Sequence, residues 1–407
     1  MDELNVLDTI NSHDLGRELQ EARKQRGLTQ EDAAKLLDVA RTTITAIEKG
    51  DRHIRANELI ALAKAYGRAV GDFVRPRPPV AELQPQFRGP ALASDEDRAE
   101  VEPYVAQLID YGRNYVELEQ LTGSRLERKY PPERDLRGVT PEAAGEDAAQ
   151  EERVRLGLGD GPLPILRDLL EQEVGLRIFY LPIKAPRYAA IYVYDDGLGG
   201  CIAVNRDHPE DRRRWSLAHE YGHFLTYRYQ PEVYIPDGYR RRPPGELFAD
   251  SFAMHFLMPI GGVKRRWNEL LRSKAKPTVA DLFTLANYFG VSLEALAMRL
   301  EDLRLLPTGT WQTYRDRGLK IRQAQAQLGL GAIPARDSVL PLRFQVLAVE
   351  ALQHELITEG RFARLLGVDR LESRQVFEML VQSGDTSTQG APVEIDLAKT
   401  LDLPPQQ

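Results

Sequence analysis

Apolar residues recur at helical spacing through the first seventy residues, and short polar or glycine-containing breaks separate the repeats. Thr29 and Asp32 have the spacing of a capping box, which predicts that a helix begins between two of these breaks. We therefore predict helices at 14–25, 29–37, 41–48 and 56–66. Two short helices joined by a turn of about three residues form the pattern of a helix-turn-helix.

The middle of the chain combines helical and strand-like patterns. Apolar residues at helical spacing from Val101 to Leu118 predict an amphipathic helix, and a second helix is predicted at 164–174. The polar segment 122–150, which contains prolines and a Gly-Glu-Asp turn, is expected to be exposed. Stretches rich in β-branched and aromatic residues then predict a small antiparallel sheet. They lie at 176–181, 189–194 and 200–205.

Composition limits the classes of protein that the chain can represent. At 407 residues it is too long for one typical domain, and 42% hydrophobic with 28% charged residues is typical of globular domains. No run of 18 apolar residues is present, so we expect no transmembrane segment and no membrane partner. The acidic N-terminus predicts no secretory signal. The single cysteine, Cys201, is expected to be a core residue and fits a cytoplasmic location.

Charge gives only a weak indication of a nucleic-acid partner. The formal net charge of −7 does not favour one. Residues 14–77, however, contain thirteen Lys and Arg against ten Asp and Glu. This modest basic surplus is compatible with DNA contact but does not establish it.

The stretch His219-Glu220-Tyr221-Gly222-His223 has the H-E-x-x-H form of a zinc peptidase. Residues four apart share a helix face, so both imidazoles can reach one zinc ion while Glu220 lies beside the bound water. Zinc lowers the pKa of such a water to about 7, and a neighbouring carboxylate can take its proton as it attacks a peptide carbonyl. The flanking apolar residues predict a buried helix. The alternative is an ordinary helix with surface histidines.

A third zinc ligand is available on the next predicted helix. Glu246 would complete a His, His, Glu set, and Asp250 lies one turn further along the same face. We expect Asp250 to accept a hydrogen bond from a ligand imidazole and so to fix its orientation. Pro259 is expected to end this helix.

Two segments resemble the ImmA/IrrE family of zinc metallopeptidases. They read AHEYGH at 218–223 and ELFADSFAMHFLMP at 246–259, and 282–305 resembles the helical part of the same family. Family members are bacterial or phage-derived peptidases that cleave transcriptional repressors. The resemblance therefore implies a regulatory peptidase with zinc on His219, His223 and Glu246, and Glu220 as the general base. By analogy with zinc peptidases, 200–205 is expected to be an edge strand beside the catalytic helix.

The string LTQEDAAKLLDVARTTITAIEKG at 28–50 resembles the XRE, or Cro/repressor, class of DNA-binding domains. The resemblance implies that Arg41, Thr42, Thr45 and Ala46 face the major groove of double-stranded DNA. It assigns phosphate contacts to Gln30 and Lys49. The core residues that it implies are Ala33, Leu36, Val39, Ile44 and Ile47. The alternative is a helix-turn-helix that serves only dimerisation or partner docking.

These patterns predict a mainly α, multi-domain protein. It would comprise an N-terminal five-helix DNA-binding domain, an α+β zincin-like metallopeptidase domain with a small antiparallel sheet, and a helical C-terminal domain. The predicted boundaries are 1–77 for the DNA-binding domain, 78–100 for a proline-containing linker, 101–150 for a helix and exposed connection, 151–306 for the peptidase, and 307–407 for the C-terminal domain.

Several residues have no role assigned by the sequence. The triplet 212–214 is interpreted as a solvated surface, with contact to an acidic substrate as the alternative, and His255 is expected in the core rather than on a metal. Segment 357–369 has the form of another helix-turn-helix, and the tail resembles the C-terminal part of longer ImmA/IrrE proteins. A donor to the transition state should lie near the metal, and the sequence does not choose among its candidates. These are Tyr227, Tyr229, Tyr234, Tyr239 and Arg240.

The leading functional hypothesis is a zinc endopeptidase fused to a sequence-specific DNA-binding domain. Its substrate would be a repressor or another regulatory protein, cleaved in response to a signal. One alternative is a transcription factor whose zinc site is structural or sensory. Another is an antitoxin-like regulator bound to a partner protein. A homodimer is expected only because repressor-type domains commonly pair on two-fold sites.

Overall fold

A computed structural model describes residues 12–68, 70–74, 95–184, 188–228, 243–274, 276–330 and 338–384. The chain divides into two compact units, Met1–Pro79 and Val80–Gln407. The predicted linker at 78–100 lies largely outside the described residues, apart from the start of a helix at Asp95. Among the described residues, no helix is long and apolar enough to cross a membrane.

The first unit is a small helical domain. Its helices are α1 (Ser12–Gln25), α2 (Gln30–Leu37), α3 (Arg41–Lys49), α4 (Ala56–Tyr66) and α5 (Gly71–Val74). Thr29 caps α2 because its hydroxyl accepts the Asp32 amide while the Asp32 carboxylate accepts the Thr29 amide, which confirms the predicted capping box. The apolar faces of these helices meet in one core, which includes Leu19, Ile44 and Leu62. The predicted helix-turn-helix is therefore present.

The second unit consists of a three-stranded sheet with helices packed on both of its faces. Its first helices are α6 (Asp95–Thr122), α7 (Pro141–Arg155) and α8 (Leu166–Val174), followed by strands β1 (Arg177–Leu181), β2 (Ala190–Asp195) and β3 (Gly199–Asn205). The next helices are α9 (Glu210–Thr226), α10 (Pro244–Leu257), α11 (Ile260–Ser273), α12 (Val279–Phe289) and α13 (Leu293–Asp302). The last are α14 (Thr310–Asp316), α15 (Ile321–Gln327), α16 (Leu342–Gln353), α17 (Glu359–Leu366) and α18 (Arg370–Gly384).

The sheet is mixed, so the prediction of an antiparallel sheet is wrong for one of its two strand pairs. Its order is β1-β3-β2, with β1 parallel and β2 antiparallel to β3. The Asp195 carboxylate accepts the amides of Gly197 and Leu198 and closes the β2–β3 hairpin. Because β3 folds back between the two earlier strands, it is the central strand. The prediction that 200–205 is an edge strand is therefore also wrong.

The two faces of the sheet contribute to different cores, because successive side chains of a strand point in opposite directions. Ile178, Ile202 and Val204 pack with α8, α9 and α10. Phe179, Cys201 and Ala203 pack on the other face with α6, α16 and α17. Cys201 is thus a core residue on a strand, as predicted, and burial raises the pKa of its thiol to about 11.

Helix α7 corrects the expectation of an exposed segment only for the part of 122–150 that it contains, from Pro141 onward. It packs tightly on α10: a Cβ added at Gly145 would lie 2.6 Å from the Phe248 carbonyl oxygen. Ala148 and Ala149 are fully buried. The packed face consists of small residues, which give almost no apolar periodicity, and this is why the sequence pattern indicated an exposed segment.

Two of the three arginines in the triplet 212–214 do not lie on a solvated surface, whereas Arg212 is exposed as predicted. Arg213 and Arg214 are both buried. Arg214 donates to the carbonyl oxygens of Gly290 and Leu163, which fastens the start of α9 to the end of α12 and to the segment before α8. A buried guanidinium needs such acceptors, because burying an unpaired charge is costly.

Candidate metal centre and DNA-binding surface

Helices α9 and α10 carry the residues of the predicted metal centre. His219 and His223 lie one turn apart on α9, and Glu246 lies in the first turn of α10. Gly222 allows the helices to approach, since a Cβ at this position would lie only 2.9 Å from the Cα of Ala249. This close crossing brings the Glu246 carboxylate up to the two rings.

The three side chains form a compact triangle of donor atoms. His219 Nε2 and His223 Nε2 are 3.0 Å apart, and Glu246 oxygens lie 3.4 Å from the first ring nitrogen and 3.1 Å from the second. Tetrahedral bonds of 2.0–2.1 Å to a shared zinc ion would place such donors about 3.3 Å apart. The spacing therefore fits one small cation, and these residues form the one such group of three or more found among the described residues.

The electrostatics of the triangle favour a positive charge at its centre. Burial alone would raise the pKa of Glu246, yet the rings of His219 and His223 lower it to about 2. Burial would lower the pKa of His219, but Asp250 and Glu246 raise it to about 10. Apart from the two ring nitrogens, both buried Glu246 oxygens lack a polar partner in the described part of the chain. A cation would satisfy these oxygens and both ring nitrogens, so the residues fit zinc.

Asp250 lies behind His219, at the position predicted for an orienting acceptor. Its Oδ1 is 2.9 Å from His219 Nδ1. A carboxylate there selects the tautomer with hydrogen on Nδ1, which turns the lone pair of Nε2 toward His223 and Glu246. Asp250 therefore acts on the donor set through His219.

Glu220 lies between the two histidines on α9 and is partly buried. Burial raises the pKa of its carboxyl, whereas the charges of His223 and His219 oppose that effect. A carboxylate with a raised pKa is a better proton acceptor than an exposed one. Its environment suits acid–base chemistry.

A polar network that the sequence did not reveal supports the other side of α9. The Tyr221 hydroxyl donates to the buried Glu152 carboxylate, and Arg155 donates to both Glu152, at 2.7 Å, and Tyr221, at 3.1 Å. Tyr221 belongs to the five-residue motif but faces away from the donor triangle, into the core. No local pattern could indicate this network, because Glu152 and Tyr221 are 69 positions apart.

Of the candidates for a transition-state donor, only Tyr227 lies among the described residues. Tyr229, Tyr234, Tyr239 and Arg240 lie outside the described residues. Tyr227 follows α9 and packs against Gly245, where an added Cβ would lie 2.5 Å from its ring. His255 is not part of the donor triangle. It lies at the far end of α10 from Glu246, 2.7 Å from the Ser251 carbonyl oxygen and 2.9 Å from Arg299.

In the first unit, α3 presents the side chains predicted to contact DNA. Arg41, Thr42 and Lys49 are exposed, and Thr45 is partly buried. Gln30, at the start of α2, links the two helices: it accepts from Thr45 at 3.3 Å and donates to Glu48 at 2.9 Å. The predicted residues thus lie on or beside one exposed helix.

The core of this unit differs from the prediction at one position. Leu36 is 51% exposed, and Ala34 is buried in its place. The buried ion pair of Arg23 with Glu48, at 2.6 Å, was not anticipated. Its partners lie on α1 and α3, so only the tertiary fold reveals it. Ala33, Ile44 and Ile47 are buried and Val39 packs against them, as predicted.

The fold and the donor triangle together define a metallopeptidase-like domain in a chain that also contains a helix-turn-helix domain. Residues 171–301 match the family model described as "IrrE N-terminal-like domain", Peptidase_M78. Residues 19–73 match the helix-turn-helix model HTH_3. The chain therefore carries an XRE-type DNA-binding domain followed by an IrrE-like domain of the M78 peptidase family. No curated protein matches the sequence.

Proposed function

We propose that this protein is a DNA-binding transcriptional regulator with zinc-dependent endopeptidase activity, which cleaves a repressor or another regulatory protein in response to a signal. The observation that carries the peptidase part is the convergence of three donor atoms beside a carboxyl group with a raised pKa. The regulatory part is supported by the helix-turn-helix domain on the same chain.

His219, His223 and Glu246 are the proposed zinc ligands, and Asp250 orients the first of them. When bound, zinc supplies a Lewis acid that polarises a carbonyl group and makes water more acidic. Glu220 is the proposed general base, which takes a proton from the attacking water and later delivers it to the leaving amine. Partial burial among the surrounding helices raises the pKa of this carboxyl.

Strand β2 is the proposed site for the substrate backbone. It is an outer strand of the sheet, and its far edge pairs with no other described strand. It also shares the core that contains α9, through Tyr192. An extended segment of a protein substrate can add to such an edge through main-chain hydrogen bonds. This assignment replaces the central strand β3.

Helix α3 is the proposed recognition helix for double-stranded DNA. Arg41 can donate two hydrogen bonds to a guanine edge, and Thr42 and Thr45 can contact bases or phosphates. Gln30 and Lys49 are the proposed phosphate contacts. The link from Gln30 to Thr45 helps to hold these side chains in place before DNA binds.

The decisive experiment separates metal binding from catalysis. The purified full chain is tested for zinc content and for cleavage of candidate repressors encoded near its own gene. We expect Glu246→Gln to lose zinc and cleavage together, whereas Glu220→Gln keeps zinc and loses cleavage. The exposed Glu173→Gln, which makes the same chemical change on α8, should retain both. Cleavage by the Glu220 variant at the normal rate would remove that residue from the mechanism. Zinc-dependent DNA binding without any cleavage would instead support a sensory site.

A further inference from the structure

The C-terminal part of the chain contains a copy of the pattern found in the N-terminal helix-turn-helix. Residues 29–41 read TQEDAAKLLDVAR, and residues 358–370 read TEGRFARLLGVDR. Six of the thirteen positions are identical, and Lys35 is matched by the equally basic Arg364. The family model for the helix-turn-helix covers only 19–73, so it does not assign the second segment.

The two segments also fold in the same way at their N-termini. Helices α2 and α17 are each eight residues long. Each begins after a threonine whose hydroxyl accepts the amide three residues later, from Thr29 to Asp32 and from Thr358 to Arg361. The same residue type therefore caps both helices with the same hydrogen bond.

Both helices end in the same left-handed turn. Asp38 has φ 54° and Gly367 has φ 67°. The following valine amide donates back to the equivalent alanine carbonyl, from Val39 at 3.0 Å in α2 and from Val368 at 3.1 Å in α17. Three residues separate the two helices in each case, and the next helix begins at Arg41 or Arg370. The two turns are thus matched in length, in handedness and in hydrogen bonding.

A side-chain link between the two helices is repeated as well. Thr45 donates to Gln30 at 3.3 Å in the N-terminal helix-turn-helix, and Arg374 pairs with Glu359 at 3.1 Å in the C-terminal segment. Gln30 and Glu359 are the first residues of α2 and α17, and Thr45 and Arg374 each lie four residues into the following helix. The start of α17 is therefore linked to α18 at the same pair of positions that links α2 to α3.

A preceding helix completes a three-helix unit in both cases. Helix α1 shares a core with α2 and α3 that includes Leu15 and Leu19, and α16 shares one with α17 and α18 that includes Phe344 and Leu347. One difference between the two segments is that Leu365 is buried, whereas its counterpart Leu36 is exposed. The reason is that α17 also belongs to the core that contains α6 and the sheet.

We propose that α16, α17 and α18 form a second helix-turn-helix, which binds double-stranded DNA through the exposed face of α18. Arginine can bond guanine and glutamine can bond adenine, and leucine can contact a thymine methyl group. The exposed residues at the positions of Arg41, Thr42, Thr45 and Ala46 offer these side chains. They are Arg370, Leu371, Arg374 and Gln375.

The charge of the C-terminal segment 358–378 is compatible with DNA binding. Residues 358–378 contain four arginines and four acidic residues, whereas the equivalent 29–49 contain three basic and four acidic residues. The second segment is therefore no more acidic than the first. A DNA phosphate can also replace Glu359 as the partner of Arg374, because that ion pair is exposed and such pairs contribute little stability.

The test uses the full chain with its first recognition helix disabled by Arg41→Ala and Thr42→Ala. Binding to a fluorescein-labelled duplex of mixed sequence is followed by anisotropy at low and at high salt. We expect this chain to keep salt-sensitive binding, and the added pair Arg370→Ala and Arg374→Ala to weaken it by about tenfold or more. The matched control is Arg315→Ala with Arg322→Ala, which removes two exposed arginines from α14 and α15 and should leave affinity unchanged.

Two further measurements keep the proposal open to contradiction. Leu371→Glu changes a side chain that is 69% exposed, so it should leave the fold intact and still weaken DNA binding. This variant decides the question if the arginine pair unfolds by circular dichroism. Equal affinity in the arginine pair and its control would overturn the proposal. So would a change in sedimentation without a change in DNA affinity, because that result would assign α18 to a protein interface.

Discussion

At the scale of single residues, Asp250 controls which nitrogen of His219 faces the donor triangle. The carboxylate lies 2.9 Å from Nδ1, and the opposite nitrogen lies 3.0 Å from the ring of His223. If His219 rotated or changed tautomer, its lone pair would no longer point at the common centre. Side chains that orient a metal ligand in this way commonly change metal affinity by one or two powers of ten.

We therefore predict that Asp250→Ala weakens zinc binding by about 10- to 100-fold while leaving the fold intact. The measurement is zinc competition against a chromophoric chelator at constant pH. Asp147→Ala removes an exposed carboxylate from α7 and serves as the matched control. Equal zinc affinity in the two variants would show that Asp250 has no orienting role.

Glu171 is a buried carboxyl group remote from the donor triangle, and it predicts a pH dependence of stability. Burial raises its pKa to about 7, although the hydroxyl of Tyr115 and the charges of Arg167 and Arg343 oppose this, while Asp168 adds to it. The folded chain thus keeps a proton that the unfolded chain loses at lower pH. Stability from this residue is fully present below the unfolded pKa, near 4.5, and is lost as pH rises through about 7.

Glu171→Gln should remove this dependence, because glutamine keeps the shape of the side chain without ionising. Urea midpoints are compared for the variant and the parent at mildly acidic and mildly alkaline pH. Relative to the parent, the free energy of unfolding of the variant should rise by up to about 3 kcal/mol as pH increases from about 4.5 to about 7. The exposed Glu173→Gln on the same helix should show no such gain. A constant difference between the Glu171 variant and the parent would contradict the prediction.

At the scale of secondary-structure elements, two glycines allow three helices to pack at backbone contact. Gly145 of α7 lies against α10 at Phe248, and Gly222 of α9 lies against the same helix at Ala249. Helix α9 carries both histidines and α10 carries Glu246. The distance between these two helices at Gly222 therefore sets the size of the donor triangle.

Gly222→Ala should therefore reduce both stability and zinc affinity. Its methyl group would lie 2.9 Å from a backbone atom of Ala249, so the helices must separate, at a cost of about 1–3 kcal/mol. Thermal unfolding and zinc titration measure the two effects. Gly360→Ala makes the same change in α17, where the nearest atom is 3.8 Å away, and should stabilise by up to about 1 kcal/mol. Unchanged zinc affinity in Gly222→Ala would contradict the role of the close crossing.

Elements with a strong local signal were predictable from the sequence, whereas their mutual arrangement was not. The helix that carries His219 and His223 was predictable from the spacing of its apolar residues and from the two histidines four positions apart. Helix α7 was missed because alanine and glycine form its packed face. The parallel pairing of β1 with β3 was missed because strand patterns do not specify neighbours. The roles of Glu152 and Arg214 depend on partners more than fifty positions away.

At the scale of the whole molecule, the positions of the tryptophans allow unfolding of the second compact unit to be observed by itself. All three tryptophans, Trp215, Trp267 and Trp311, lie in the second unit. Tryptophan fluorescence therefore reports unfolding of the unit with the donor triangle, and circular dichroism reports both units. Ligands that bind a folded unit raise its stability in proportion to the logarithm of their concentration.

We predict that zinc raises the tryptophan-detected unfolding temperature and that a chelator lowers it again. His223→Ala should abolish this response, because it removes one donor of the triangle. Arg41→Ala, which changes an exposed side chain of the first unit, is the control and should leave the response intact. A zinc response that persists in His223→Ala would place the ion elsewhere.

Helices cover both faces of the sheet, and this limits which fragments of the chain can stay folded. Phe179, Ile191 and Val193 pack against α6 and α16, yet both helices lie outside the family-matched 171–301. A fragment limited to those residues would expose one apolar face of the sheet to water, and such an exposed surface favours aggregation. A fragment that keeps both faces of the sheet covered would have to extend from α6 to α17, beyond the family-matched residues on both sides.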